Sequence, residues 1–418
     1  MDALRGLLGL AVLLGVAFAV SKRRSGVSWR TVGVALALQF AFALLVLRWG
    51  PGKDALEWAS EQVETLIGYA GEGTSFVFGP LTGVGEEGET IFALQVLPVI
   101  VFLGALIGLL YYLRVIQWLT WAIGGGLAKL LGISKVESMY GATVIFLGQS
   151  EAPLMIAPYL RSLRRGQLFT IMTAGFAAAA GSTLVGYSLL GAPLEYLLAA
   201  TVMNAPAALL MAKLMWPDSA DEGEEAGEEA GERAEEVDVR DVRDEESANV
   251  IDAVGRGAMA GGRIAITVGG LLIAFVALIA LADGILGGIG GWFGHDELSF
   301  EKALGWALAP LAWLLGVPWS EAAEAGAWIG EKTVLNEFVA YANFGPEVGS
   351  LSTATVVMVT FALAGFANFA SIAIQIGTLG SLLPERRGEV AQLGMRALLA
   401  GSLANLANAA IAGIVVAL

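Results

Sequence analysis

Apolar residues along this chain come in long uninterrupted runs rather than in the narrow periodic stripes of a soluble helix. Runs able to cross about 30 Å of hydrocarbon lie near residues 3–20, 29–49, 91–113, 167–190, 194–215, 264–285, 352–380 and 389–417. The pattern predicts an all-α integral membrane protein with about eight transmembrane helices. Other apolar segments do not suit simple spans. Residues 53–70 (KDALEWASEQVETLIGYA) are amphipathic and acidic, as expected of a helix lying along the interface. Residues 114–132 and 299–315 are Trp-rich and bracketed by glycines, which suits helices near a membrane surface. Residues 136–160 and 320–343 carry polar residues in their middles, which predicts two re-entrant helical hairpins.

These elements recur in order. Residues 1–50 supply two N-terminal helices. Residues 53–215 and 248–418 then each read interfacial helix, span, surface helix, polar-tipped hairpin, span, span, with the linker 216–247 between them. Three crossings per copy are an odd number, so the second copy is expected upside down, and inverted repeats with broken helices mark secondary transporters. A pore is the rival reading, but channels present symmetric rings, whereas the polar sites here differ between the halves.

Composition supports the membrane reading and narrows the chemistry. Hydrophobic residues make up 56% and charged residues 15%, against about 25% charged in a soluble domain. The mean hydropathy is +0.70. The absence of cysteine excludes disulfides, iron–sulfur clusters and thiol catalysis. The single histidine, His295, speaks against a His-based metal site; in GGWFGHDELSF it is expected to be solvated. Residues 1–20 lack a basic stretch ahead of the apolar core and run into Lys22, Arg23 and Arg24, as a first span would. The net charge of −15 is concentrated in one place, with fifteen acids against three arginines between Asp218 and Glu246. That run is expected to be a solvated linker.

Basic residues set the orientation. Lys22–Arg24, Arg161, Arg164, Arg165, Lys213, Arg386 and Arg387 fall at one set of turns. With that side cytoplasmic, eight spans place both termini outside and the linker 216–247 inside. The expected location is the inner (cytoplasmic) membrane, multi-pass.

The candidate chemistry sits at the hairpin tips. The first is Gly148-Gln149-Ser150-Glu151, set between VIFL and LMIAP. Polar groups in that setting are expensive and face a water-filled cavity or a ligand. Gln149 donates and accepts, Ser150 does both on one atom, and Glu151 accepts, a set that matches a heterocycle edge. The second tip is Asn336-Glu337-Phe338, and its partner span breaks at Gly365-Phe366-Ala367-Asn368-Phe369-Ala370-Ser371. Helical spacing would put Asn368 and Ser371 on one face. A carboxylate, an amide and a hydroxyl suit a polyol such as ribose, with Phe366 as a flat apolar contact.

GQSEAPLMIAPYL, IMTAGF…AGSTLVGY, KTVLNEFVAY and GFANFASIAIQIGTLGSLLPERR resemble, in order over residues 91–418, the concentrative nucleoside transporter family. The earlier spans resemble its prokaryotic members more loosely. The resemblance implies cation-driven nucleoside uptake by an elevator-like movement, in a homotrimer with scaffold and mobile parts. It places Gln149, Ser150 and Glu151 at the base, Glu337, Asn368 and Ser371 at the ribose, and Phe366 along the site. Trp118, Trp121 and Gly124–Gly126 are expected at a subunit contact. The partners implied are a nucleoside such as uridine, the bilayer and further copies of the chain, with no nucleic acid.

One departure concerns the driving ion. Sodium-coupled members use an Asn four residues before the Gly of GQ[ST]E and a Ser or Thr in the following span. Here those positions are Val144 and Ala178. Proton coupling is therefore expected, with Glu337 the first candidate carrier and Glu151 the second, because a low-dielectric site favours a neutral carboxyl group. The sodium alternative is a weak site built from carbonyls near Leu147, Ala178 and Ala179. No organic cofactor is expected.

Several features carry less. Lys332 is expected either to balance Glu337 or Glu331 or to snorkel to the interface. Asn204-Ala205-Pro206 reads as a kink, and Asn405 and Asn408 as helix–helix hydrogen-bonding residues. GILGGIGG lacks the Lys and Ser/Thr of a phosphate loop. An alternative substrate is a free nucleobase. An intramembrane enzyme using Glu151 and Glu337 as an acid/base pair lacks a nucleophile, metal cluster or cofactor motif.

Overall fold

The computed structural model describes residues 2–83, 91–221, 238–292, 294 and 297–418, and these are helical without a β-strand. His295 and most of the acidic linker lie outside the described residues. The first part of the chain forms α1 (Asp2–Ala19), α2 (Trp29–Leu47), α3 (Gly50–Phe78), α4 (Phe92–Gln95), α5 (Leu97–Tyr112) and α6 (Val115–Leu131). Then come α7 (Lys135–Thr143), a 3-10 segment over Ala152–Ser162, α8 (Arg165–Ala177), α9 (Gly181–Leu189) and α10 (Leu194–Met215). Beyond the linker run α11 (Val250–Gly291), α12 (Phe300–Leu315), α13 (Trp319–Val334) and α14 (Glu337–Phe344). The chain closes with α15 (Thr353–Leu363), α16 (Phe369–Leu382) and α17 (Arg387–Ala417).

The helix starts are written locally. Ser28, Ser134, Ser299, Asn336, Ser352 and Asn368 each accept the backbone N–H three residues ahead, opening α2, α7, α12, α14, α15 and α16. Such caps are each worth about 1 kcal/mol. Pro153 and Pro158 explain the 3-10 character of 152–162, since Pro158 has no N–H to give to an α-helical ladder.

Helices α8, α10 and α17 form the buried centre, packed on one another, with α15 and α16 against α17. Helices α5 and α11 pack chiefly on each other through glycines, and α5 also meets α3 and α9 through Val99 and Leu103. A Cβ on Gly104 would meet Gly257 O at 2.6 Å, and one on Gly257 would meet Gly104 O at 2.4 Å. Gly108 and Gly261 approach the opposite backbone in the same way. This is the close crossing that small residues four apart allow.

Several expectations change. Among the described residues six helical stretches are long and apolar enough to span, or seven if the bent pair α12–α13 counts as one. The expected eight shrink because α1 is short and because 352–380 is split into helices of 11 and 14 residues. The expected span 264–285 belongs to one continuous 42-residue helix, α11, so no separate interfacial helix precedes it; no proline interrupts the run. The interfacial helix expected at 53–70 extends over the 29 residues of α3. The expected continuous span 167–190 is broken at Ala178–Ala180, which lie outside both α8 and α9.

The basic turns gather at one end. Lys22 N donates to Met215 O, Arg386 Nη1 to Leu163 O at 2.6 Å, and Arg165 approaches Glu389 at 3.8 Å. Lys213, however, is no free surface charge: its buried ammonium bridges Glu137 at 2.6 Å and Asp218 at 2.5 Å. Trp118 and Trp121 find a partner within the chain, as Arg240 lies over both rings at 5.4 and 4.4 Å. The same guanidinium hydrogen-bonds the Asp238 carboxyl and holds it below its ordinary value.

Candidate functional site

A cavity of about 300 Å³ opens where the segments around Gln149 and Glu337 meet the helix breaks, at the lower end of the ~300–1,000 Å³ usual for small-molecule sites. Its lining includes all seven residues expected from the sequence: Gln149, Ser150, Glu151, Glu337, Phe366, Asn368 and Ser371. A larger cavity of about 490 Å³ near Glu57, Glu61, Glu64 and Glu195 contains none of them.

The first side of the site is the tip between α7 and the 3-10 segment. Gln149 is buried with both ends of its amide engaged: Nε2 donates to Ser371 Oγ at 2.9 Å, and Oε1 accepts from Gln375 Nε2 at 3.1 Å. Gln375 also donates to Met172 O at 3.0 Å, so the amide of Gln149 is held from behind. Ser150 is exposed to the cavity and Glu151 is half-buried.

The second side begins at Asn336, whose side chain caps α14 and so sets Glu337 at that helix's first position. Glu337 accepts from Tyr187 OH at 3.1 Å and from Asn368 Nδ2 at 2.9 Å. Tyr187 is stacked on Tyr341 at 4.6 Å and meets Phe338 edge-on at 4.8 Å, which fixes the phenol. Asn368 does not share a helical face with Ser371 as the spacing predicted. It is the cap of α16, and its Oδ1 accepts the Ser371 N–H at 2.9 Å; Asn side chains take such backbone partners readily.

The two breaks are joined. Phe366 N donates to Ala178 O at 2.9 Å, and Asn405 Nδ2 donates to Ala177 O at 2.8 Å and Ala364 O at 3.2 Å. Asn204 Nδ2 donates to Ala364 O at 2.6 Å, while Asn408 donates to Asn204 Oδ1 at 2.8 Å. Asn405 and Asn408 thus bond between helices as expected, and Asn204 braces a break as well as preceding Pro206. A Cβ on Gly365 would lie 2.4 Å from Asn405 Oδ1 and 2.6 Å from Ala177 O. Gly365→Ala is therefore expected to cost about 1–3 kcal/mol of stability through overpacking and to depress transport, both measurable by thermal unfolding in detergent and by uptake. Stability and transport like those of the parent would show that the junction is looser than its geometry.

Lys332 departs from expectation. It neither snorkels nor touches a carboxylate: its buried Nζ donates to Ala362 O and Asn405 Oδ1, each at 2.7 Å, and the Glu337 charge reaches it only from farther off. Glu331 instead accepts from Asn343 Nδ2 at 3.0 Å. Val144 and Ala178 are buried in the main apolar core.

Some lining and supporting residues escaped the sequence reading. Gln375 lies one turn beyond Ser371 in an otherwise apolar stretch, the same signal that found the tips. Thr183 and Arg263 line the cavity. Arg263 is a charge inside α11, a position that by itself asks for a purpose.

Comparison with known proteins identifies the family. Family models match most of the chain: "Na+ dependent nucleoside transporter N-terminus" over residues 8–81, "Nucleoside recognition" over 93–194, and "Na+ dependent nucleoside transporter C-terminus" over 196–413. An uncharacterized transporter, YutK, of Bacillus subtilis is 51% identical, covering 99% of both chains. The nucleoside permease NupC of Helicobacter pylori is 40% identical over 100% of this chain and 99% of its own. The solved structure of CNTnw in an inward-facing substrate-bound state matches at a TM-score of 0.91 and 46% identity, covering 100% of this chain and 98% of that one. With its membrane helices, its shared fold and a cavity lined by the tips and breaks, this chain belongs to the concentrative, Na+-dependent nucleoside transporter family.

Proposed function

We propose that this multi-pass membrane protein imports nucleosides such as uridine across the cytoplasmic membrane by proton-driven, elevator-type alternating access. As a member of a transporter family the chain is not an enzyme. The observation that carries the substrate reading is the cavity in which Gln149, Ser150 and Glu151 face Glu337, Phe366 and Asn368. The first group reads the base and the second the ribose, with Ser371 at the seam through its bond to Gln149.

The architecture supports two inverted repeats, over 53–215 and 248–418, each with a re-entrant hairpin. Each half ends in a broken span followed by a long helix carrying an inward Asn, Asn204 or Asn408, and these two residues bond to each other. Elevator movement is supported by the make-up of the cavity wall. One side is α11 (Arg263, Thr267, Leu271), and the others come from the tips, α9, α14 and α16. The outward apolar face of α11, with Ile266 and Ile273 more than three-quarters exposed, suits lipid or the neighbouring subunits of a homotrimer. Gathering of the basic turns at one end supports a cytoplasmic linker and external termini.

Radiolabelled uridine uptake into proteoliposomes tests the substrate class. Unlabelled nucleosides are expected to compete, and free uracil to compete at least about tenfold more weakly, because it forgoes the hydrogen bonds of Glu337 and Asn368. Equal competition by uracil would favour a nucleobase carrier instead.

A further inference from the structure

We propose that Lys332 is a positioning residue for the nucleoside site: its ammonium sets the direction of the Asn405 amide, and that amide clamps the two helix breaks beside the cavity. The inference rests on the nucleoside reading above and adds a role for a charge outside the cavity lining.

Lys332 lies in the last turn of α13 and is 3% exposed. No carboxylate among the described residues lies within ion-pair distance of it. The Glu337 carboxylate acts on it only from farther off, and burying an ammonium costs several kcal/mol, so its immediate surroundings must compensate. They do so with oxygens. Ala362 lies in the last turn of α15, where helix carbonyls lack intrahelical partners and carry the negative end of the dipole, and its carbonyl accepts from Nζ at 2.7 Å.

The second acceptor is Asn405 Oδ1, also at 2.7 Å. An ammonium can only donate, so it demands the oxygen of that amide. The nitrogen must then point the other way, where it meets Ala177 O, Ala364 O and Asn204 Oδ1 at 2.8, 3.2 and 3.1 Å. Ala177 precedes the first break and Ala364 opens the second. Position 405 therefore needs an acceptor on one side and a donor on the other. Asn supplies both, and Lys332 selects the orientation. Without the ammonium, Oδ1 of the amide loses its donor and is held from the carbonyl side alone, so the segment Gly365–Asn368 is anchored less firmly. The residues displaced would be Phe366 and Asn368, on the ribose side.

This predicts a selective defect. Uptake of uridine, 3′-deoxyuridine and cytidine would be compared in proteoliposomes of the parent, Lys332→Met, Lys332→Gln and Asn405→Asp. The parent is expected to prefer uridine over its 3′-deoxy analogue. Lys332→Met should lose about tenfold of that preference, chiefly as a raised uridine KM, while the uridine-to-cytidine ratio stays. Lys332→Gln, whose amide can still donate to Asn405, should keep most of it. Asn405→Asp, which has no donor for the carbonyls, should lose it and serves if Lys332→Met fails to fold. A lowered maximal rate with the ribose preference intact in Lys332→Met and Asn405→Asp would reduce Lys332 to a structural residue and overturn the proposal. If the parent takes up no uridine, the nucleoside reading fails. The clamp is then judged by thermal stability in a Lys332→Met/Asn405→Leu double-mutant cycle, where additive losses overturn it and coupled losses uphold it.

Discussion

Glu337→Gln is expected to lower uridine uptake by two orders of magnitude or more while leaving a folded, membrane-inserted protein. Both carboxylate oxygens of Glu337 are occupied by donors, Tyr187 OH and Asn368 Nδ2. A Gln side chain offers one acceptor in place of two, so its NH₂ is brought against one of those donors. Leaving a buried donor unpaired costs ~1–3 kcal/mol, and hydrogen bonds to a charged group, here from ribose hydroxyls, are worth ~1.5–3 kcal/mol. Together these correspond to roughly 10²-fold or more in uptake efficiency. Initial rates with matched protein amounts would measure it, and a variant within about threefold of the parent would remove Glu337 from the sugar site.

The second large effect concerns the driving ion. Uptake by the parent is expected to rise with an inward proton gradient and to be unchanged when Na+ is replaced by choline. Family models for this fold carry Na+ dependence in their descriptions. In this chain Val144 and Ala178, two positions where the sodium-coupled pattern has side-chain oxygens, are hydrocarbon, each 2% exposed within the core. A cation that sheds its water needs several oxygens in its place. The paired substitutions Val144→Asn and Ala178→Ser restore two of them and are expected to confer Na+ stimulation of about fivefold or more. Full dependence of the parent on Na+ at constant pH would exclude the proton reading.

Much of the site was legible because expense leaves a mark in sequence. Gln149, Glu151, Glu337 and Asn368 are conspicuous among apolar neighbours, and the fold brings all four to one cavity. The breaks were legible unequally. Gly365 and Asn368 announce the second, whereas the first falls in FAAAAG, a strong helix former. It is held open from outside: Asn405 takes Ala177 O, Phe366 N takes Ala178 O, and Gly181 N turns to Phe146 O. Local propensity could not show partners that lie far along the chain. Lys332 failed for the same reason. Its neighbours in sequence, Glu331 and Glu337, suggested an ion pair, but its partners lie 30 and 73 residues away. The 42-residue length of α11 is hidden in the sequence by a change from polar to apolar composition within a single helix.

The glycine seam between α5 and α11 bears on how the carrier can move. With Gly104 and Gly257 in backbone contact, the pair has no side-chain layer in which one helix could slide past the other. Such a joint suits a fixed post in the elevator movement proposed above. The face that the post turns to the cavity runs through Arg263, Ile264, Thr267, Val268 and Leu271, a single charge at one end of an otherwise apolar and hydroxyl-bearing strip. Motion that carries a nucleoside across would then fall to the opposite wall, where the tips, the breaks and Asn405 are tied into a single body, and the friction of the transport step would be set at α11. Larger side chains at Thr267 should slow turnover more than they weaken binding.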